Sequence, residues 1–300
     1  MPSPLLLLPD FTLILLGFVL CRYTPLNRPL WDGVERLVYY LLFPCLLFAA
    51  IVRTPIGMGT LVQLGGVALT VNLIGIALAY LMRYAPGVDG LLHASGAQTA
   101  FRFNTYVALA LAERLAGAPG LAWVALLVAV CVPVSNAAAV WPLARHGGKG
   151  VFGELLRNPL IVSTVAGLTF NLCGLSLPDL AATTLTRIGA AALPLGLMAV
   201  GAGLRFGALR EAPYLAAGFM AIRHLVLPGV AIALVIGFAL PRDQQLVMVA
   251  FASVPTASSA YVLATRMGGN GGFVAGLVTV STLLAMAGMP LALGLLAALR

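Results

Sequence analysis

Along the chain, apolar residues come in blocks of about twenty, separated by short polar breaks. This is the pattern of helices that cross a bilayer, not of amphipathic helices laid on a soluble core. The blocks lie at about residues 5–21, 34–52, 60–82, 91–112, 120–144, 159–177, 187–205, 213–239, 244–266 and 271–298. The breaks carry loop chemistry: Arg22-Tyr-Thr-Pro-Leu-Asn-Arg28, Arg53-Thr-Pro55, Arg83-Tyr-Ala-Pro-Gly87, Ala118-Pro-Gly120 and Pro241-Arg-Asp243. The longest break, Arg145 to Pro159, divides the chain near its midpoint. The expected fold is an all-α polytopic membrane protein of ten transmembrane helices, with five over residues 1–145, a cytoplasmic linker over 146–158 and five over 159–300.

The halves repeat. Pro9 and Pro159 are 150 residues apart, as are Pro44 and Pro194, and the same offset sets Arg102-Phe-Asn104 against Ala252 to Val254, beside Pro255. Five is odd, so the second half must enter the membrane from the opposite face. Inverted repeats of this kind belong to secondary transporters, whose sites lie at the repeat interface near the midplane. Ten Lys and Arg fall after odd-numbered blocks (Arg22, Arg28, Arg36, Arg83, Arg145, Lys149, Arg157, Arg205, Arg210, Arg266) and five on the other side (Arg53, Arg114, Arg187, Arg242, Arg300). The bias places both termini outside the cytoplasm.

Composition sharpens this. Hydrophobic residues make up 61% of the 300 and charged residues 9%, against about 25% charged in a soluble domain. The net charge of +8 is spread singly between blocks with no basic stripe, so it reads as membrane topology and not as a nucleic-acid surface. Cys21, Cys45, Cys131 and Cys173 lie in or at the edge of apolar blocks, with no CxxC pair, as small buried residues do. The first block has neither a charged leader nor a small-residue cleavage site and reads as a retained span.

Against that background, polar residues inside the blocks stand out. The fourth block contains Gln98-Thr-Ala-Phe-Arg-Phe-Asn-Thr-Tyr-Val107. An Arg at the bilayer centre costs roughly 2.5–3.5 kcal/mol on insertion scales, so Arg102 and Asn104 point to a polar cavity. Asn104 suits either a ligand contact or the N-cap of a half-helix, whose free N–H groups favour an anion. Arg102 has three readings: it faces the cavity, pairs with an acidic group, or snorkels. In the ninth block, Pro255 removes a backbone donor amid the hydroxyls of Ser253, Thr256, Ser258, Ser259 and Tyr261. The fifth block carries Pro133, read as a second breaker, with Ser135 and Asn136 behind it; the eighth carries Arg223-His224; the tenth carries Thr279-Val-Ser-Thr282. Gly189, Gly196 and Gly203 form a smooth stripe for close helix packing. No HExxH, GxSxG or Walker A motif is present, and His93, His146 and His224 lack ligand spacing. The sequence thus gives no sign of an enzyme, a bound metal or a cofactor.

These residues resemble the auxin efflux carrier family of secondary transporters in its short bacterial form. The resemblance rests on Arg102-Phe-Asn-Thr-Tyr106, Val132-Pro-Val-Ser-Asn136, Asn158-Pro-Leu-Ile161 with Gly167-Leu168, Leu193 to Leu204, and Val254-Pro-Thr-Ala257 followed by Ser281-Thr282. It implies two inverted five-helix repeats with helices 4 and 9 broken and crossing at the centre, a scaffold part that forms a homodimer and a transport part that moves. It also implies the cytoplasmic (inner) membrane of a bacterium and efflux of an organic anion, such as a carboxylate or an auxin-like weak acid. Asn104 matches the family's span-4 crossing Asn, Pro255 its span-9 crossing Pro, and Asn136 its span-5 polar position. Two departures stand out. Thr105-Tyr-Val-Ala108 replaces the Gly or Pro that often follows the Asn, and Ser258 and Ser259 stand where some members carry Asn.

The expected function is alternating-access transport of a small organic anion. The substrate site would draw on Asn104, Arg102, Thr105, Asn136, Pro133, Pro255, Thr256, Ser258, Ser259, Arg223 and Thr282, with the lipid bilayer and a second copy as partners. One alternative is a sodium-coupled carrier of the bile-acid type, disfavoured because no carboxylate lies near the crossing. The other is a non-transporting membrane sensor or scaffold.

Overall fold

Where apolar blocks meet no breaker, the chain forms long helices with apolar side chains on every face. The computed structural model describes residues 8–53, 58–147, 159–204 and 212–299. In chain order the helices are α1 (Leu8–Tyr23), α2 (Arg28–Leu37), α3 (Phe43–Arg53), α4 (Met58–Leu81), α5 (Gly90–Gly96), α6 (Gln98–Phe101), α7 (Thr105–Gly147) and α8 (Pro159–Leu172). They continue with α9 (Asp179–Ala190), α10 (Ala192–Ala202), α11 (Pro213–Ala221), α12 (Leu227–Gly237), α13 (Arg242–Ser253), α14 (Ser259–Arg266) and α15 (Gly271–Ala298). No strand occurs among the described residues. Two π-helical turns, Val38–Leu42 and Ile222–Val226, join α2 to α3 and α11 to α12.

Among the described residues, six stretches are long and apolar enough to cross a membrane: Arg28–Arg53, Val62–Tyr84, Gly90–Leu143, Asp179–Ala202, Pro213–Gly237 and Gly271–Ala298. Phe11–Tyr23 and Val162–Leu172 are shorter apolar helices. Large apolar side chains such as Val62, Leu225 and Leu291 are exposed, while Asn72, Gln98, Asn104 and Arg223 are buried. Polar inside and apolar outside is the arrangement for a lipid surround. The chain is a multi-pass membrane protein.

Local chemistry sets the ends. Asp89 caps α5 by accepting from Leu92 N (2.8 Å), and Asn270 caps α15 by accepting from Phe273 N (2.9 Å). The helix of the second block begins at Arg28, six residues before the apolar run, with Pro29 in its first turn. Its polar face is held by Arg28, which pairs with Asp32 (2.9 Å) and Glu35 (2.8 Å). Within α7 the chain turns at Gly117, where φ is +60°, a conformation that favours glycine. A Cβ on Gly120 would collide with the Ala112 carbonyl, eight residues back; in a continuous helix that separation is about 12 Å. The expected break at Pro133 is not found: α7 remains helical through Pro133 and Pro142. A proline inside a membrane helix forfeits one bond, and neighbouring groups absorb the loss.

The helices pack in two groups. In one, α1 lies on α10, α3 on α8 and α9, and α2 on α10. In the other, α13 lies on α7, α12 and α15, α4 on α7 and α12, and α5 on α15. Helix α7 also touches α3, α8 and α10, so it forms the contact between groups. The first group is held at backbone distance. A Cβ on Gly17 would collide with the Met198 carbonyl, and one on Gly201 with the Ile14 carbonyl. In the glycine stripe, Gly189 faces Leu46, and Gly196 faces the stacked rings of Phe43 and Tyr106. Residues 148–158 and 205–211 lie outside the described residues, and with them most of the expected linker and Lys149, Arg157, Arg205 and Arg210 of the expected charge bias.

Candidate functional site

The fourth apolar block is interrupted where its polar residues sit. Helix α6 ends at Phe101, Arg102 turns extended (φ −73°, ψ 140°), and α7 begins at Thr105. Several backbone groups freed by the interruption have partners. Arg102 N donates to Gln98 O (2.9 Å), and the Asn72 amide donates to Phe101 O (3.3 Å). Asn104 Oδ1 accepts from Tyr106 N (3.0 Å) and Val107 N (3.3 Å), which makes Asn104 the N-cap of α7.

The ninth block is interrupted at Pro255. A proline pushes the preceding residue out of the helical region, and Val254 is extended, with φ −62° and ψ 156°. Helix α13 stops at Ser253 and α14 starts at Ser259. The Arg223 guanidinium donates to the freed Val254 carbonyl through Nε (2.8 Å) and Nη2 (2.6 Å). Thr256 N donates to Ser281 Oγ (2.9 Å).

The two extended segments are joined to each other. Asn104 N donates to Pro255 O (2.9 Å), and in the reverse sense Thr256 Oγ1 donates to Arg102 O (3.1 Å). The rings of Phe103 and Phe251, 4.5 Å apart, close one side. Arg102 reaches across as well, donating from Nη1 to Gln98 Oε1 (2.8 Å) and from Nη2 to Ser259 Oγ (3.0 Å).

The electrostatics of this junction are one-sided. The N-termini of α7 and α14 begin beside it, each bringing the positive end of a helix dipole. Arg223 is 2% exposed and has no carboxylate partner among the described residues. Asn104 is 3% exposed, and its Nδ2 is buried without a partner. Leaving a buried donor unsatisfied costs about 1–3 kcal/mol. Positive potential, an idle donor and half-exposed hydroxyls are the components of an anion site.

The expected residues fare differently. Asn104, Arg102, Pro255, Thr256, Ser259 and Arg223 meet at the junction through the bonds above. Thr105 and Ser258 flank it, half-buried. Asn136 is half-buried, with no side-chain hydrogen bond among the described residues, whereas its neighbour Ser135 is buried in mutual hydrogen bonding with Asn72 at 2.9 and 3.1 Å. Thr282 Oγ1 donates to Val278 O of its own helix (2.9 Å). Asn72 drew no notice in the sequence, and Gln98 and Ser281 stood within the polar stretches without being assigned to the site; all three are buried, and a polar residue mid-block was the signal available for each. A cavity of about 580 Å³, lined by Phe18, Cys21, Arg22, Tyr23, Arg28, Ala202 and Leu204, lies among α1, α2 and α10, away from the junction.

The chain is similar in sequence to known membrane transport proteins. Residues 142–293 match the model of a family described as membrane transport protein. The chain is 28% identical over 311 residues to a Rhizobium meliloti protein named "Putative malonate transporter", covering 94% of this chain and 92% of that one. It is 24% identical over 283 residues to an "Uncharacterized transporter" of Methanothermobacter thermautotrophicus, covering 93% of each. With a helical fold interrupted at two joined points and a match over half its length, the chain belongs to the membrane transport protein family, that of the auxin efflux carriers.

Proposed function

We propose that the protein is a secondary transporter of a small organic anion, and that the junction of residues 102–104 with 254–258 is its substrate site. One observation carries the reading: Asn104, whose Nδ2 is orphaned, is bonded to Pro255 O, the carbonyl next in the chain to the Val254 carbonyl held by a buried guanidinium that no carboxylate among the described residues neutralises. A carboxylate would satisfy the amide and balance the charge together. The relative named for malonate points to short carboxylates.

In this reading ten spans form two inverted five-helix repeats, residues 1–145 and 159–300, with both termini outside the cytoplasm and the protein in the inner membrane. The group built on α1, α3, α8 and α10 is the scaffold and pairs with a second copy. The group holding the junction moves against it along α7, giving alternating access. The packing of helices into two groups supports this division. A sodium-coupled carrier is the weaker reading, because the junction offers no carboxylate to a hard cation.

Uptake by protein in liposomes tests the proposal. Labelled malonate should accumulate by counterflow against internal malonate, unlabelled carboxylates should compete, and amines should not. Absence of counterflow with every carboxylate offered, from protein that remains monodisperse, overturns it.

A further inference from the structure

Each interruption is braced by polar side chains from neighbouring helices, with different chemistry in the two halves. In the first half, the Asn72 amide of α4 pairs with Ser135 of α7 and holds Phe101 O. In the second half, His224 Nε2 lies 2.8 Å from Ser281 Oγ of α15, and that oxygen accepts Thr256 N–H (2.9 Å). An amide sits in the first of these pairs and an imidazole, whose second ring nitrogen can take up a proton where an amide cannot, sits in the other.

The backbone is shaped to present that imidazole. In a regular helix, adjacent side chains point about 100° apart. The π-turn Ile222–Val226 widens the helix, and Arg223 and His224 both find partners at the junction, Val254 O and Ser281 Oγ. Such turns recur at functional sites. His224 Nδ1 is buried with no partner, with Gly288 opposite, where a Cβ would stand 4.0 Å away. Among described residues, the charged or titratable groups on the elements packed around this turn are few. Arg223 is on the turn itself; Tyr80 of α4 is bonded to Ala138 O. Arg242 and Asp243 begin α13, at the opposite end from Ser253, and Tyr214 lies exposed in the first turn of α11. The short segment α6 leads into Arg102, bonded to Gln98 and Ser259. No carboxylate competes for the imidazole.

We propose that the His224–Ser281 pair is a proton-binding site, and that a proton taken up there travels with the anion. The proposal rests on the anion-carrier reading above. Ser281 Oγ accepts from Thr256 N–H, so its own hydrogen is free to bond Nε2. A proton added at Nε2 reverses that bond. Nε2–H then donates to Ser281 Oγ, and the serine hydrogen turns to a carbonyl of its own helix, as Thr279 and Thr282 do. The imidazolium adds positive charge behind Thr256, where the carboxylate binds. Anion and proton therefore each favour the other's binding, and linkage makes the effect reciprocal. An anion leaving down its own gradient takes the proton with it.

The test uses the full-length protein in liposomes containing a pH dye, with membrane potential clamped by potassium and valinomycin. Adding external malonate to wild-type vesicles should acidify the lumen in step with labelled malonate entry. His224→Asn, which installs the amide of the first brace, should retain measurable counterflow and move at least tenfold fewer protons per malonate. Ser281→Ala keeps the imidazole but cuts its link to Thr256, and should lower the same ratio. The proposal is overturned if net malonate uptake into wild-type vesicles that hold no internal malonate proceeds without luminal acidification, or if both variants keep the wild-type ratio of protons to malonate taken up. Loss of counterflow itself in wild type defeats the anion-carrier reading instead, a separate signature because the isotope signal is then silent too.

Discussion

Asn104 does two jobs with two atoms, and substitution can separate them. Its Oδ1 caps the first turn of α7, and its Nδ2 stands idle at the junction. Asn104→Ala removes both. Loss of the cap costs about 0.5–2 kcal/mol of stability, which lowers the melting temperature by roughly 2–4 °C per kcal/mol. Asn104→Ser keeps a capping oxygen of similar rank but has no amide N–H to offer. It also deletes a buried unsatisfied donor, so without ligand its melting temperature should equal or exceed that of wild type. A hydrogen bond to a charged acceptor contributes about 1.5–3 kcal/mol, and each 1.4 kcal/mol is tenfold in affinity. Both variants should therefore bind malonate about 10- to 140-fold more weakly, and only the Ala variant should melt earlier. Calorimetric titration in detergent gives the affinities and a fluorescence melt gives the stabilities. Wild-type malonate affinity in Asn104→Ser would refute the assignment of Nδ2 to the ligand.

Arg223→Gln removes the buried charge and weakens the hold on Val254 O, and should abolish carboxylate counterflow, while Arg223→Lys should keep part of it; equal rates in all three proteins would remove Arg223 from the site. Gly201→Ala drives a methyl into the Ile14 carbonyl and should cost about 1–3 kcal/mol of stability, read as an earlier melt, with malonate affinity unchanged in the protein that remains folded. In a variant free of native cysteines, Leu180→Cys should react with an impermeant maleimide in intact spheroplasts and Tyr84→Cys should react only after permeabilisation; both positions are exposed, and the reverse pattern inverts the proposed orientation.

The interruptions were legible because each has a local cause. Pro255 lacks a donor and forces Val254 extended, and Asn104 carries its own capping oxygen. The start of α2 at Arg28 was not, since hydropathy marks apolar blocks and that turn is amphipathic, with Arg28, Asp32 and Glu35 paired along it. Pro133 misled for the opposite reason: a proline predicts a lost bond, but packing decides whether the helix parts. Partners drawn from other helices leave no local trace. Asn72 meets Phe101 across 29 positions and His224 meets Ser281 across 57. Arg223 and His224 stand out as basic residues in an apolar block, but nothing in the sequence marks the π-turn that carries them.

The backbone contact between α1 and α10 has a consequence for how the protein is made. Gly17 and Gly201 are about 180 residues apart, so at roughly 5–20 residues per second α1 waits about 10–40 s for its partner to leave the ribosome. During that interval its glycine groove is filled by lipid or by an insertion factor. A ribosome stalled before residue 190 therefore leaves a first helix that is inserted but unmated, and membrane quality control meets this protein in that form.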